Sequence, residues 1–164
     1  MITLAIIAFS AIFLAGVLFL VQGPQYVPTN DDDAAAMVAM VMERPPARVL
    51  DMGSGDGKLV LLLARQGCRV DGVELNPLLV LRSRRTIRKA GLSHLATIYW
   101  SSFWKFNVAP YDAVTLFVVK HIMPRLEEKL AAELKPGATV ISNYFTFPNL
   151  KPQEKRGTLY AYRL

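Results

Sequence analysis

The sequence predicts an α/β fold with a doubly wound, mostly parallel sheet, preceded by one N-terminal transmembrane helix. Two observations support this. Beyond residue 30, short apolar strands alternate with amphipathic helices, an order typical of parallel sheets covered by helices. Residues 2–21 contain no charged side chain, and only Thr3 and Ser10 are polar. We therefore expect the 164 residues to divide into an anchor at 1–21, a linker at 22–30 and one domain at 31–164.

The apolar N-terminal segment is long enough to cross a membrane. About 20 apolar residues, rising 1.5 Å each, match a hydrocarbon core of roughly 30 Å. A cleaved signal peptide is the alternative, but it requires a basic start and a small-x-small cleavage site. No Lys or Arg precedes the run, and it ends at Gln22-Gly23-Pro24 without such a site. We expect an uncleaved anchor.

Hydrophobic periodicity sets the elements of the domain. A helix is predicted over 31–42, where Ala34, Met37, Val38 and Val41 form one apolar stripe. Two consecutive prolines end it. The strands that follow are predicted at 48–52, 69–75, 96–101, 111–119, 138–145 and 158–163, and the helices at 58–66, 77–90 and 124–134. Gly67 and Gly91 follow the first two of these helices, as is common at helix C-termini, and Lys135-Pro136-Gly137 closes the third.

The connection between the first strand and the next helix contains the clearest motif. Residues 51–57 have the sequence Asp-Met-Gly-Ser-Gly-Asp-Gly. Asp51 ends the first predicted strand and Glu74 lies at the end of the second. Ligands of doubly wound sheets bind at the carboxyl ends of the strands, at the switch point of the strand order. Glycines allow a tight turn there, and the following helix offers the free N–H groups of its N-terminus.

The charges in this motif distinguish between ligands. A dinucleotide site requires the spacing G-x-G-x-x-G, whereas this chain has G-x-G-x-G. Asp51 and Asp56 would repel a pyrophosphate but not a cation. S-adenosylmethionine has a sulfonium, an ammonium and one carboxylate, so it is the favoured ligand, with Glu74 accepting from the ribose hydroxyls. A simple tight strand–helix connection is the alternative interpretation.

These segments resemble a known family. Residues 49–57 are similar to motif I of the class I methyltransferases, and residues 72–77 to their post-I motif. A narrower resemblance extends over 25–164, to small protein-lysine methyltransferases. That group includes an archaeal lysine methyltransferase and membrane-tethered mitochondrial enzymes that modify lysines of inner-membrane proteins. The segments that carry it are Tyr26-Val27-Pro28-Thr29, 102–105, 126–137 and 145–148.

The resemblance implies a Rossmann-like fold of the class I methyltransferase type, S-adenosylmethionine as cofactor and a protein lysine as acceptor. The cofactor-binding residues that it implies are Tyr26, Thr29, Asp51, Gly53, Ser54, Gly55, Gly57, Glu74, Leu75, Asn76, Ser102 and Phe103. Tyr26 and Thr29 would fold over the cofactor. Relatives often have an acid in the loop after the third strand to accept from the adenine amino group. This chain has Ser102 there, a weaker acceptor.

Candidates for the transfer step lie at the same edge of the predicted sheet: His121, Asn143 and Tyr144. A lysine acceptor must lose a proton, and its free pKa of about 10.4 falls in an apolar pocket because burial disfavours the ammonium. Aromatic residues after the third and fifth strands are candidate pocket walls, with ordinary core packing as the alternative. A solvent-facing position is the alternative for His121. One cysteine and two histidines predict no metal site.

The charge of the domain and the supply of its cofactor indicate the partners and the location to expect. All 19 basic and 13 acidic residues lie beyond residue 22, so the net charge of +6 belongs to the domain. Attraction to anionic lipid, binding to nucleic acid and an ordinary solvated surface are the possible meanings, and we expect no nucleic-acid partner. S-adenosylmethionine is kept in the cytoplasm, so the domain is expected on the cytoplasmic side of a single-pass membrane protein. The uncharged N-terminal tail would be translocated.

Three functions remain open from the sequence. The first is a membrane-anchored methyltransferase that modifies lysines of a protein, most naturally a membrane protein. The second is a methyltransferase for a lipid or a small amphiphile. The third is a membrane protein that binds the cofactor without catalysis.

Overall fold

A computed structural model of the chain describes residues 6, 7, 9, 10 and 27–164. Within these residues, no helix combines the length and the apolar character needed to span a bilayer. The predicted anchor and most of the predicted linker lie outside the described residues. The division into anchor, linker and domain therefore stays a prediction.

One sheet of seven strands organises the described domain. The strands are β1 (Arg48–Met52), β2 (Arg69–Glu74), β3 (Ala96–Trp100), β4 (Ala113–Leu116), β5 (Thr139–Asn143), β6 (Glu154–Arg156) and β7 (Leu159–Arg163). Their order across the sheet is β3-β2-β1-β4-β5-β7-β6. Strands β1 to β5 are parallel, and β7 runs antiparallel to both of its neighbours. The strand order reverses between β1 and β4, which is where such sheets open a ligand crevice.

Helices cover both faces of the sheet. They are α1 (Asp31–Met42), α2 (Lys58–Arg65), α3 (Pro77–Lys89) and α4 (Met123–Glu133), with a short 3-10 helix (Lys120–Ile122) before α4. Helices α1, α2 and α3 pack on one face, where Met37, Leu63 and Ile87 belong to one buried apolar cluster. Helix α4 packs on the other face through Leu126 and Leu130. The predicted doubly wound, mostly parallel α/β sheet is confirmed.

Two strands differ from the prediction. The fourth, predicted over 111–119, is hydrogen-bonded only over Ala113–Leu116. Leu116 pairs with Met52, and β1 turns away after that residue, so the chain beyond Leu116 has no β1 partner on that side. Strand β6 was not predicted. Its three residues, Glu154–Arg156, are all charged, as is common at a sheet edge, and they show no apolar alternation to detect.

A close contact joins the start of α2 to α3. Gly57 is the N-terminal cap of α2 and has a φ of 80°. A Cβ atom built on Gly57 would lie 2.7 Å from the Cβ of Ser83, a fully buried residue of α3. Only glycine satisfies both the backbone angle and this approach. The third glycine of the motif therefore serves helix packing.

We expect Gly57→Ala to destabilise the protein by about 2–4 kcal/mol, because it adds a steric overlap to the backbone strain. Gly67 is the matched control, since it follows the other end of α2, has a φ of 86° and leaves open space around a Cβ. Gly67→Ala should cost only the strain, about 1–2 kcal/mol. Denaturant unfolding of the full chain measures both, and equal losses would contradict the packing explanation.

Candidate active site

A cavity of about 680 Å³ lies at the carboxyl ends of the parallel strands, at the switch point between β1 and β4. The structure brings together these sequence-predicted residues in its lining: Thr29, Asp51, Gly53, Ser54, Gly55, Glu74, Leu75, Ser102, Phe103, His121, Asn143 and Tyr144. Three predicted residues are not among them. Gly57 and Asn76 lie outside the lining, and Tyr26 lies outside the described residues.

Gly57 and Asn76 have structural positions instead. Gly57 begins α2, as described above. The side chain of Asn76 caps α3, because its Oδ1 accepts from the backbone N–H groups of Leu78 and Leu79 at 2.9 and 3.4 Å. Pro77 then occupies the first turn of the helix. Both residues position the cavity without facing it.

The Glu74 carboxylate links the two loops that form the floor of the cavity. Its Oε2 accepts from the backbone N–H of Gly55 at 2.9 Å. Its Oε1 accepts from the N–H groups of Leu75 and Asn76 at 2.9 and 2.7 Å. A carboxylate offers roughly four acceptor positions, so these three bonds leave one on Oε2. Glu74 is thus held rigidly and still has an acceptor for a ligand.

Ser54 presents a hydroxyl that no protein group satisfies. Its Oγ is buried and, within the described part of the chain, has no hydrogen-bond partner. The side chain packs against Gly72 of β2, where an added Cβ would lie 2.7 Å from the Ser54 Oγ. Buried hydroxyls are normally paired, because an unpaired one costs about 1–3 kcal/mol. Ser54 also lines the cavity, so the unpaired hydroxyl lies next to the space that a ligand would fill.

Asp51 is a buried acid at the centre of the site. The residue is 6% exposed, and its Oδ1 accepts from the hydroxyl of Thr115 in β4 at 2.8 Å. Burial raises the pKa of Asp51 to about 7; the Thr115 hydrogen bond opposes the rise and the charge of Glu74 adds to it. Such a carboxyl favours a cationic ligand, which would restore its ionised form.

The segment before α1 is tied to the site by Lys58. The Lys58 Nζ donates to the carbonyl oxygen of Thr29 at 2.7 Å and to the Oδ1 of Asp31 at 2.9 Å. Lys58 is the first residue of α2, where the helix dipole disfavours a cation. Through these two bonds Lys58 fixes residues 29–31 next to the start of α2, beside the glycine loop.

A second tie runs from α1 to the far side of the cavity through Asp33. The Asp33 Oδ2 accepts from the Nδ2 of Asn143 at 3.4 Å and from the Nδ2 of Asn30 at 2.8 Å. The Asp33 Oδ1 accepts from the hydroxyl of Thr158 at 3.0 Å. Because a carboxylate only accepts, this contact directs the nitrogen of the Asn143 amide toward α1.

Asn143 thereby presents its carbonyl end without a protein partner. The residue is fully buried at the end of β5 and lines the cavity. Its Oδ1 is buried and, among the residues that the structure describes, receives no hydrogen bond. His121 also lines the cavity, from the 3-10 helix, and is exposed to solvent. The site thus holds one buried acceptor and one exposed imidazole.

Two pairs of aromatic side chains form part of the cavity lining. The ring of Phe117 stacks on that of Tyr144, with centroids 5.6 Å apart. Phe103 packs against Trp104 at 4.9 Å, and the guanidinium of Arg125 lies 4.4 Å above the Trp104 ring. Tyr144 has a φ of 67°, unusual for a residue with a side chain. Such strain is concentrated at functional sites.

Comparison with known proteins identifies the family. The family model described as the ANTKMT methyltransferase domain matches residues 51–154. The chain belongs to this methyltransferase family. It is 39% identical over 141 residues to a Mus musculus lysine N-methyltransferase named for an ATP synthase subunit, a match that covers 84% of this chain and 57% of that protein. The predicted resemblance to class I methyltransferases, and to lysine methyltransferases among them, is confirmed.

Two further relatives extend the comparison. A protein-lysine N-methyltransferase of Saccharolobus islandicus is 29% identical over 131 residues, covering 79% of this chain and 81% of that protein. The solved structure of an RNA methyltransferase from Salinibacter ruber, in complex with S-adenosyl-L-homocysteine, superposes with a TM-score of 0.79 at 27% identity, covering 84% and 93% of the two chains. The chain spans less than two thirds of the length of the vertebrate relatives it matches.

Four residues of the methyltransferase site were not predicted from the sequence. They are Asp33, Lys58, Phe117 and Thr158. Lys58 carried a detectable signal, since a cation at a helix N-terminus is unfavourable without a partner. Phe117 was counted as part of a buried strand. Nothing distinguishes Asp33 from its two acidic neighbours, or Thr158 from other loop residues, before the fold is known.

Asp51 should give the free methyltransferase domain a distinctive pH dependence. The folded protein keeps a proton on Asp51 up to about pH 7, whereas an unfolded aspartate releases it near pH 4. Because the folded state holds this proton more tightly than the unfolded state, the proton stabilises the fold. The contribution is fully present below about pH 4 and is lost as the pH rises through about 7. The free energy of unfolding of the wild type, relative to Asp51→Asn, should fall by about 1.4 kcal/mol per pH unit in between. Denaturant titrations over this range test it, and a constant difference would contradict the shifted pKa.

Proposed function

We propose that this protein transfers methyl groups from S-adenosylmethionine to lysine side chains of a membrane protein. The observation that carries the proposal is one cavity with the buried Asp51 and the partly buried Glu74 at one end and an aromatic wall beside the Asn143 amide at the other. The first end suits a cationic cofactor and the second suits a long side chain that ends in an amine. Relatives named for lysine methylation support the same acceptor.

The described residues fit the cofactor. The Asp51 carboxyl, the unpaired Ser54 hydroxyl and the remaining acceptor of Glu74 suit its amino-acid part and its ribose hydroxyls. Ser102 and Phe103 line the cavity near the end of β3 and suit the adenine ring. When bound, S-adenosylmethionine supplies a methyl group that its sulfonium makes susceptible to in-line displacement. Thr29, held by Lys58, closes the site from above.

The acceptor end prepares an amine for attack. The walls formed by Trp104, Phe117 and Tyr144 disfavour an ammonium, so they lower the pKa of an entering lysine. A small rotation of the Asn143 side chain would bring its buried Oδ1 to an N–H of the neutral amine and so orient the lone pair of the amine. His121, at the solvent-exposed rim, is positioned to pass the released proton to water. Alignment and exclusion of water are the main contributions that such a transfer needs.

The acceptor class is tested by product analysis. Full-length protein is incubated with methyl-labelled S-adenosylmethionine and whole membranes, and the label is traced. We expect it in protein lysine. Label in lipid would favour a lipid methyltransferase, label in RNA a nucleic-acid substrate, and cofactor binding without transfer a non-catalytic protein. Each of these outcomes would contradict the proposal.

Two variants assign the ends of the cavity in the same assay. Glu74→Gln should weaken cofactor binding by about 1–3 kcal/mol, because a charged acceptor is lost. Its control is Glu128→Gln, on the exposed surface of α4.

Asn143→Leu should leave cofactor affinity unchanged and slow transfer by about 10- to 100-fold. Slowing that disappears at saturating cofactor would refute the role of Asn143.

Membrane anchoring is part of the proposal. It is supported by the uncharged run at 2–21, and the cofactor supply requires the domain to face the cytoplasm. The protein should stay in the membrane fraction after alkaline carbonate washing, and protease added to intact spheroplasts should leave the domain uncut. Complementation of a methylation defect should need the full chain, with 22–164 alone insufficient. Digestion without lysis would overturn the orientation.

A further inference from the structure

An apolar surface lies beside the mouth of the cavity and shares only Leu75 with the cavity lining. Leu75, Leu78, Leu81 and Trp100 are 51%, 59%, 63% and 59% exposed. The Trp100 Nε1 donates to the carbonyl oxygen of Leu75 at 3.0 Å, so the indole lies against the start of α3. We call these four residues the leucine–tryptophan patch. Contiguous exposed apolar side chains of this size mark interaction surfaces.

The core of the domain does not use this face of α3. The buried residues of the helix are Val80, Ser83 and Ile87, on the opposite side. At 3.6 residues per turn, Leu78 and Leu81 share their face with the exposed basic residues of the helix. These are Arg82, Arg85, Arg88 and Lys89.

The positive charge of this face is largely uncompensated. Arg82 lies 3.6 Å from the carboxylate of Asp56. No carboxylate in the described part of the chain lies within ion-pair distance of Arg85, Arg88 or Lys89. Leu78 and Leu81 of α3, together with Trp100 at the end of β3, therefore form an exposed apolar patch flanked by basic side chains. Burial of apolar area and attraction to anionic lipid are the two contributions that hold a protein surface at a membrane interface.

The patch and the cavity share one side of the molecule. Leu75 belongs to the patch and also lines the cavity. Val27, where the continuous described domain begins, lines the same cavity and is 58% exposed. Val27 lies within the predicted linker, residues 22–30, and the part of the linker between the predicted anchor and Val27 reaches at most about 20 Å. The patch therefore lies within reach of the bilayer that holds the anchor.

We propose that the leucine–tryptophan patch inserts into the interface of an anionic bilayer, while Arg85, Arg88 and Lys89 contact lipid phosphates. The contact turns the mouth of the active site toward the membrane surface, where a lysine of a membrane protein is presented. The lipid contact is independent of the reaction. That the contact brings the active site to the acceptor lysine rests on the proposed function.

The two tryptophans of the chain make the contact measurable. Full-length Trp104→Phe reports Trp100 alone, and full-length Trp100→Phe reports the half-buried Trp104 as a matched control. Each is reconstituted into phosphatidylcholine vesicles with and without phosphatidylglycerol. With phosphatidylglycerol, Trp100 emission should shift to shorter wavelength and be quenched by lipids with brominated acyl chains. Trp104 should respond less.

Charge reversals identify the surface. Arg85→Glu with Arg88→Glu should abolish the quenching of Trp100. Arg65→Glu with Arg69→Glu changes the net charge equally at exposed positions outside α3 and should retain it. Retained quenching in the first pair, or equal quenching without phosphatidylglycerol, would overturn the proposal. Shielding of Trp100 that requires an added membrane protein would also overturn it, in favour of a protein-binding surface.

Methyl transfer by the wild-type protein to whole membranes, measured as in the product analysis, separates this inference from the proposed function. Transfer to protein lysine without quenching of Trp100 would refute the lipid contact alone. Quenching of Trp100 without any transfer would refute the proposed function alone.

Discussion

The site depends on the Glu74 carboxylate, which accepts from the backbone N–H groups of Gly55, Leu75 and Asn76. These donors belong to two loops that would otherwise leave the sheet independently. Hydrogen bonds to a charged acceptor contribute about 1.5–3 kcal/mol each, roughly twice a neutral bond. One side chain at the end of β2 thus fixes the glycine loop and the start of α3, so the shape of the cavity floor is set before any ligand arrives.

The Glu74 carboxylate also affects the pKa of the neighbouring acid, Asp51. The negative charge of Glu74 adds to the burial that raises the pKa of Asp51, while Thr115 limits the rise. Two acids in one cavity are costly unless a cation joins them. The negative charges of Asp51 and Glu74 therefore repel each other, and a bound sulfonium and ammonium would offset this repulsion. The rigid loops and the excess negative charge select the ligand together.

The sequence predicted the parts of the molecule that are determined locally. The 51–57 loop and the acid at the end of β2 could be identified because turn geometry and strand ends have local signatures. The contacts of Asp33 could not, since they join residues 110 and 125 positions apart. Phe117 was also missed, because a buried strand and the start of a cavity wall look alike when both are apolar. Local order was predictable, and the long-range pairing that completes the acceptor end was not.

These long-range contacts give residues 29–33 a role in the site. Lys58 holds Thr29 over the glycine loop, and Asp33 orients Asn143 at the opposite end of the cavity. Residues 29–33 therefore contact both the cofactor end and the acceptor end of the site. A segment under tension or displaced at its N-terminal side would disturb both ends at once. Residues 29–33 are thus part of the site itself, because the contacts that fix them are the same contacts that fix the two ends of the cavity.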